Sequence, residues 1–278
     1  MTRLLSIQSH VAFGSVGNRA VRWAMAQLAL PCDAIDTVQW SNHAGYARVG
    51  GPALDRAAFE ELWSALDANG LVSEFTHLLT GFIYDAGVVH AIADRLEALR
   101  AEGRGPLYVC DPVMGDDGST YVPQAVVHAL RDRLAPLADV VTPNATEAAL
   151  LLGRSVETIA DGHAACAALL ARGATLAIVT SIDVDADHIA VIAHHRVAGE
   201  YARTLKRVPH HVVGTGDLFA ALVTAWLMRP GSEGFTEALD ARVDALREVI
   251  AGSAATARGR AVIELELDAH AERIRALA

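Results

Sequence analysis

Four consecutive residues, Gly214-Thr215-Gly216-Asp217, stand immediately before a long apolar stretch. Two glycines let the backbone fold closely. A helix starting there aims unpaired N–H groups and a positive dipole end at the loop. Such a mouth stabilises an anionic transition state, for example a migrating γ-phosphoryl group. Asp217 is placed to accept the proton of an attacking hydroxyl. An ordinary glycine turn with an acid favoured by the dipole fits the same spacing. The loop is not of the Walker type, because no G-x-x-x-x-G-K-[ST] occurs in the chain.

A second group is Asp111-Pro112-Val113-Met114-Gly115-Asp116, with two carboxylates five residues apart around a turn. Hard oxygen donors of this kind suit Mg²⁺, which takes one or two carboxylates beside phosphate oxygens and water. A Pro-Gly turn with two solvated acids reads the same way. In Thr142-Pro143-Asn144-Ala145-Thr146-Glu147, Asn144 and Glu147 have capping-box spacing, and they could equally face phosphates and organise metal-bound water. Both roles can hold together.

Polar, glycine-containing segments also follow the first two apolar runs: Gln8-Ser9-His10 with Gly14-Ser15-Val16-Gly17-Asn18, and Val38-Gln39-Trp40-Ser41-Asn42-His43. Together they could line a small heteroaromatic pocket, although each alone reads as a turn. His10 and His43 are expected as hydrogen-bonding loop residues rather than metal ligands. The pairs His194-His195 and His210-His211 lack the i, i+4 spacing of helical zinc sites and are expected to be solvated. No Gly-x-Ser-x-Gly elbow occurs, so hydrolase chemistry gains little support.

Short apolar runs alternating with helical periods must position these groups. Strands are expected at residues 4–7, 34–38, 77–80, 107–110, 140–141 and 176–179, and a hairpin at 188–194 and 196–203. Helices are expected at 18–28 with Asn18 as cap, then at 59–66, 88–100, 145–152, 162–171 and from Gly214 to Met228. This alternation predicts one α/β domain over residues 1–278, a mostly parallel sheet with helices on both faces. Ligands of such sheets sit beyond the carboxyl ends of the strands, where Ser9, Gly81, Asp111, Thr142, Thr180 and the 214–217 loop fall.

Composition narrows the partners. Of 278 residues, 52% are hydrophobic and 20% charged, which excludes a disordered chain. The net charge of −10 and the lack of a basic run argue against nucleic acid. Three scattered cysteines, Cys32, Cys110 and Cys166, fit a reducing cytoplasm better than a disulfide framework. The N-terminus lacks the apolar length of a signal peptide, and no segment reads as a membrane span.

The order of these segments along one chain is more specific than any of them singly. Ser6-Ile7-Gln8-Ser9-His10-Val11, Val38-Gln39-Trp40-Ser41-Asn42-His43, Leu79-Thr80-Gly81, Cys110 to Asp116, Thr142-Pro143-Asn144-x-x-Glu147, Val179-Thr180-Ser181 and Gly214 to Ala221 closely resemble pyridoxal kinases of the ribokinase-like superfamily. The likeness covers residues 3–228, with a less distinctive helical tail beyond. The Gly-Thr-Gly-Asp loop indicates only the superfamily, whereas Ser-Ile-Gln-Ser-His and Val-Gln-x-Ser-Asn-His narrow it.

The resemblance implies an α/β ribokinase-like fold and ATP-dependent phosphorylation of the 5′-hydroxymethyl group of pyridoxal, with pyridoxine and pyridoxamine as related acceptors. It implies that Asp217 is the base and that Gly214, Thr215 and Gly216 form the anion hole. Ser9, His43 and Phe82 are implied on the substrate side. Asp111, Tyr121, Asn144, Glu147, Thr180, Ser181, Thr215 and Gly216 are implied around the nucleotide. Asp111, Asp116, Thr142 and Glu147 are implied near Mg²⁺, and Asp111, Thr142 and Thr180 match positions that lie by a monovalent cation such as K⁺ in some relatives. Residues 204–213 match a segment that covers ATP. A cytoplasmic homodimer with no membrane or nucleic-acid partner completes the implied picture.

Three positions depart from the pattern. Ala44 stands where many relatives have Thr, Thr180 where some bacterial relatives have Lys, and Phe82 where Tyr is common. Two other readings share parts of the pattern: a hydroxymethylpyrimidine kinase, and a non-catalytic pyridoxal carrier that kept the fold.

Overall fold

The computed structural model describes residues 2–229, 231, 234–257 and 262–278. In chain order the elements are β1 (Leu4–Val11), α1 (Asn18–Gln27), β2 (Cys32–Trp40), α2 (Arg56–Ala68), β3 (His77–Thr80), α3 (Ala86–Ala101), β4 (Leu107–Cys110), β5 (Gly115–Asp116), β6 (Ser119–Thr120), α4 (Gln124–Ala129), β7 (Val140–Val141), α5 (Ala145–Leu152), α6 (Ile159–Ala171), β8 (Leu176–Asp183), β9 (His188–His195), β10 (Gly199–Lys206), β11 (Val212–Val213), α7 (Thr215–Leu227), α8 (Phe235–Thr256), β12 (Ile263–Glu264) and α9 (Ala271–Arg275). The expected mostly parallel α/β class is what these elements form. Of the helical tail expected after residue 228, residues 230, 232, 233 and 258–261 lie outside the described part.

The elements fall into two compact units. The first comprises Met1–Ala53, Phe75–Gly81 and Val208–Ala278, and the second Leu54–Glu74 and Phe82–Arg207.

In the first unit β1 pairs in parallel with both β2 and β3. Leu4, Leu5, Ile7 and Val11 of β1 are buried, and so is every residue of β3. These continuous apolar runs are what a strand covered on both faces requires. Helix α7 is buried from Leu218 through Ala225, so it is a core helix rather than an amphipathic cover. Each of its fully buried Leu, Val and Phe side chains contributes about 1.5–3 kcal/mol of transfer free energy. It packs on α1, α8 and β3. Parallel pairing of β11 with β12 ties the stretch before α7 to the C-terminal segment.

In the second unit β4, β7 and β8 are parallel, and β9 and β10 add an antiparallel edge. Tyr108 and Cys110 of β4 are completely buried. Helix α6 covers β8 and β9. A side chain on Gly162 of α6 would come within 2.3 Å of Ile182, so glycine there lets the helix approach the sheet closely.

Several sequence expectations need correction. Asn18 is not a side-chain cap: Gly17 holds the N-cap position, and Asn18 is buried. The Asn18 carboxamide accepts from the Ser6 hydroxyl at 2.7 Å and donates to Gln8 O, Ile35 O and the Asp36 carboxylate at 2.7–3.1 Å. A tertiary polar network thus recruits a residue whose type favours local capping. The hairpin also shifts, because Arg196 belongs to the turn and the partner strand starts at Gly199. His194 is buried rather than solvated, whereas His210 and His211 are exposed as expected. The Asp116–Ser119 connection is a two-residue hairpin turn with both Asp117 (φ 47°) and Gly118 (φ 73°) left-handed. Asp-Gly is a strong signal for that turn, which lies beyond the Pro-Gly turn expected in this stretch.

Candidate active site

Within the first unit, Gly214 is the N-cap of α7 with φ 86°, a conformation that favours glycine. A side chain there would also strike the Ser15 carbonyl oxygen at 2.4 Å. Two independent constraints therefore require glycine, and both press the 214–216 turn against the loop after β1. No side chain caps α7. The opening N–H groups of a helix have no intrahelical partner, so this buried helix presents donors and a dipole end at residues 214–216.

Asp217 lies in the first turn of α7, where the backbone N–H of Gly17 favours its charged form. Burial pushes its carboxyl above its ordinary value, and the Gly17 donor opposes that rise without cancelling it. A carboxylate tuned upward in this way is a better proton acceptor near neutral pH. Gly17 has φ 56°, and a Cβ on it would lie 2.1 Å from Ser9 O and 2.3 Å from Ser9 Oγ. Ser9, Gly17 and Asp217 therefore form one contiguous stack, with Ser9 buried beneath.

The loops after β1 and β2 lie side by side. Ala12 N–H donates to Trp40 O at 2.8 Å, and Phe13 N–H donates to Ser41 O at 2.9 Å. The 41–50 loop is knit internally: Asn42 donates to His43 O and Arg48 O, and the Ser41 hydroxyl donates to Asn42 at 2.6 Å. His43 Nδ1 accepts from Gly45 N–H at 3.0 Å. Burial, aided by His211, lowers the His43 pKa, so the ring is neutral with its proton on Nε2. His43 thus offers one imidazole donor, as the reading of it as a hydrogen-bonding residue requires.

Two groups of this unit act in ways that their local sequence does not mark. Gly17 acts through its backbone N–H and looks like any loop glycine. Glu264, near the C-terminus, accepts from Ser15 N–H at 3.1 Å, and its carboxylate fills the space beside Gly14. Nothing local in the tail marks it, because its partner is 249 residues away.

The second unit gathers its own set. Thr142 Oγ1 donates to Asp111 Oδ1 at 3.0 Å, and both residues are buried. Asn144 and Glu147 form the capping box of α5: Glu147 N–H donates to Asn144 at 2.8 Å, and Asn144 N–H donates to Glu147 at 2.9 Å. The other Glu147 oxygen accepts from Met114 N–H at 3.1 Å, and the Asn144 amide donates to Gly115 O at 2.8 Å. The cap and the Asp111–Asp116 turn are thereby one assembly. Burial first, and the negative charges of Asp111 and Asp116 with it, push the Glu147 carboxyl well above its ordinary range.

Asp111 and Asp116 act on Glu147 as like charges, a repulsion that a divalent cation would relieve. This oxygen-only donor set fits Mg²⁺. Thr180 donates its N–H to Pro143 O at 3.0 Å and bridges Asn144. The β8–β9 register breaks between Val179 and Ile182, leaving Thr180 and Ser181 in a bulge, with Ser181 at φ 56°. Bulges recur beside active sites because they redirect side chains. Phe82 is buried and lies against Tyr84 and Tyr121, with centroids 6.2 and 6.5 Å apart. The structure thus brings Asp111, Thr142, Asn144, Glu147 and Thr180 together in one unit, and Ser9 with Gly214 and Asp217 in the other.

A family model described as phosphomethylpyrimidine kinase matches residues 63–261. The pyridoxal kinase of Arabidopsis thaliana is 37% identical over 228 residues, covering 81% of this chain and 74% of the relative. The Homo sapiens pyridoxal kinase is 35% identical over 240 residues, covering 81% and 77%. Among solved structures, the pyridoxal kinase of Leishmania donovani in complex with ADP and pyridoxamine is similar at a TM-score of 0.90. It is 31% identical, and the match covers 99% of this chain and 96% of that one.

Proposed function

Because the chain belongs to the pyridoxal kinase family, we infer that it transfers the γ-phosphoryl group of ATP to the 5′-hydroxymethyl oxygen of a vitamin B6 vitamer. The product is pyridoxal 5′-phosphate when pyridoxal is the acceptor, and this is salvage chemistry. The observation that carries the reading is the Asp217 carboxylate at the uncapped start of a buried helix, its proton affinity raised by burial. A carrier would need no base there.

Phosphoryl transfer demands positioning and charge stabilisation more than covalent chemistry. Asp217 takes the proton of the attacking hydroxyl, so that oxygen becomes nucleophilic as the P–O bond to ADP breaks. The N–H groups at Gly214, Thr215 and Gly216 receive charge developing on the phosphoryl oxygens. Ser9 and the Nε2–H of His43 orient the pyridine ring, and Phe82 packs on the substrate side. Asp111, Asp116, Thr142 and Glu147 would hold Mg²⁺, which supplies charge neutralisation on the phosphates when bound. Asn144, Thr180, Ser181 and Tyr121 would contact the nucleotide, and residues 204–213 would cover it. Asp111, Thr142 and Thr180 are also the residues that would face K⁺.

The test is ATP-dependent formation of pyridoxal 5′-phosphate, followed by its absorbance. No product from the purified chain with ATP, Mg²⁺ and pyridoxal would overturn the assignment. The matching family model, described as phosphomethylpyrimidine kinase, gives one specific reason to weigh a pyrimidine acceptor such as hydroxymethylpyrimidine. In a competition assay, preferential consumption of hydroxymethylpyrimidine over pyridoxal would favour that rival. A homodimer of one kinase domain per chain, working in the cytoplasm, completes the proposal. A monomer mass by sedimentation would remove the dimer.

A further inference from the structure

A separate cluster lies in the second unit, on the β9–β10 edge under α6. His163 Nδ1 and His194 Nε2 face each other at 2.8 Å. The Glu200 carboxylate lies 3.4 Å from His163 Nδ1 and 3.7 Å from His194 Nε2. Three potential ligand atoms thus converge on one point. The fold puts them there by register: Glu200 of β10 is the cross-strand partner of His194 in β9. Gly162 brings α6 close enough to the sheet for the next residue, His163, to reach the same spot. None of the three belongs to the kinase machinery described above.

We propose that His163, His194 and Glu200 form a binding site for a zinc-class divalent cation, with at least one position left open to solvent. Zinc bound by imidazole and carboxylate at about 2.0–2.2 Å in a tetrahedral shell spaces its ligand atoms about 3.3–3.5 Å apart. The three separations, 2.8, 3.4 and 3.7 Å, straddle that value, so small side-chain rotations complete the geometry. Two imidazoles select zinc, cobalt or nickel over magnesium, which prefers oxygen-only shells. Cys166 is not a fourth ligand: burial pushes its thiol up to about 12, and its Sγ–H donates to the Ile192 and Ala177 carbonyls. One protein face of the ion is therefore fixed and the side of the exposed Glu200 is open.

The test uses the intact chain without nucleotide, in excess Mg²⁺. Wild type is titrated with Co²⁺ as a spectroscopic substitute, and Zn²⁺ uptake is measured by equilibrium dialysis. The expected result is one tight equivalent, with visible d–d absorption typical of a low-coordinate Co²⁺ site and displaced by Zn²⁺. His163→Ala, a partly exposed position, should weaken binding by more than the 10- to 100-fold that losing a mere second-shell partner costs. His194→Ala should do the same, and Glu200→Gln should weaken it by about ten-fold or more. Kinase turnover in Mg²⁺ should be retained in His163→Ala, which shows that the variant is folded. A wild type that takes up no equivalent, as a purely hydrogen-bonded triad would, overturns the site. So does a His163→Ala variant that keeps wild-type affinity and spectrum.

Discussion

The backbone N–H of Gly17 favours the charged form of the Asp217 carboxylate, coupling the loop after β1 to the first turn of α7. The Gly17 donor keeps the carboxylate ionisable while burial raises its proton affinity. A base needs both properties, and neither follows from the Gly-Thr-Gly-Asp spacing alone.

Replacing Asp217 by Asn should lower kcat by about 10²–10⁴, the range expected for a lost general base. The side chain is nearly isosteric, so a cooperative thermal melt should survive. Steady-state turnover of pyridoxal checks the first statement and calorimetry the second. Near-normal turnover would remove Asp217 from its role.

The acid side of the kcat profile should lie above the ordinary carboxylate range. The base works only when deprotonated, and its raised pKa means that protonation begins at a higher pH as acid is added. Substituting Gly17 by Ala should move that limb further up, because the displaced N–H no longer favours the charged form. A wild-type profile flat down to pH 4 would contradict this assignment.

Gly17→Ala and Gly214→Ala should each destabilise the protein by about 1–3 kcal/mol through backbone strain at positive φ. The close approaches of 2.1 Å to Ser9 O and 2.4 Å to Ser15 O add to that strain. Gly118→Ala is the control: its φ is 73° but its Cβ would meet nothing within 4 Å. Denaturant midpoints should rank Gly118→Ala as the mildest of the three.

Glu147→Ala should cost about 1–3 kcal/mol, because it leaves the buried Met114 N–H unpaired and breaks the capping box. The charge state adds a pH dependence. Between the unfolded pKa and the raised folded pKa of Glu147, the native state binds more protons than the unfolded state. Nucleotide-free stability should therefore fall as pH rises through that window. Mg²⁺ with nucleotide should flatten the slope if the ion neutralises the same carboxylates. Thermal melts across pH, with and without Mg²⁺-ADP, read both effects.

Asp111→Asn should raise the Mg²⁺ concentration needed for half-maximal turnover by about ten-fold or more, in line with a lost carboxylate ligand. Thr142 would keep an oxygen to donate to at that position, so the melting temperature should change little. Metal dependence measured beside stability separates a ligand from a structural acid.

Elements whose signal is local were legible in the residues. The β3 and β4 boundaries, 77–80 and 107–110, coincide with those in the structure because short apolar runs end there at Gly81 and at Asp111-Pro112. The capping box at Asn144 and Glu147 and the glycine start of α7 were likewise readable, since both obey rules spanning three or four residues. The two-residue turn at Asp117-Gly118 is equally local, set by the Asp-Gly pair itself.

Asn18 shows where such rules stop. Its type and place favour a cap, yet four hydrogen bonds to β1 and β2 outweigh that single local one. His194 is buried against its local expectation for the same reason: exposure is set by what packs over a strand, and Gly162 of a distant helix brings that cover down. The amino-acid order alone determined the alternation of strands and helices, the glycine-rich mouth of α7 and the acids that follow the strands. Tertiary contact decided which N–H holds Asp217, how far burial raises its proton affinity, and which histidines and carboxylates meet. Those quantities depend on desolvation and on neighbours far along the chain, and neither is encoded in any short window of residues.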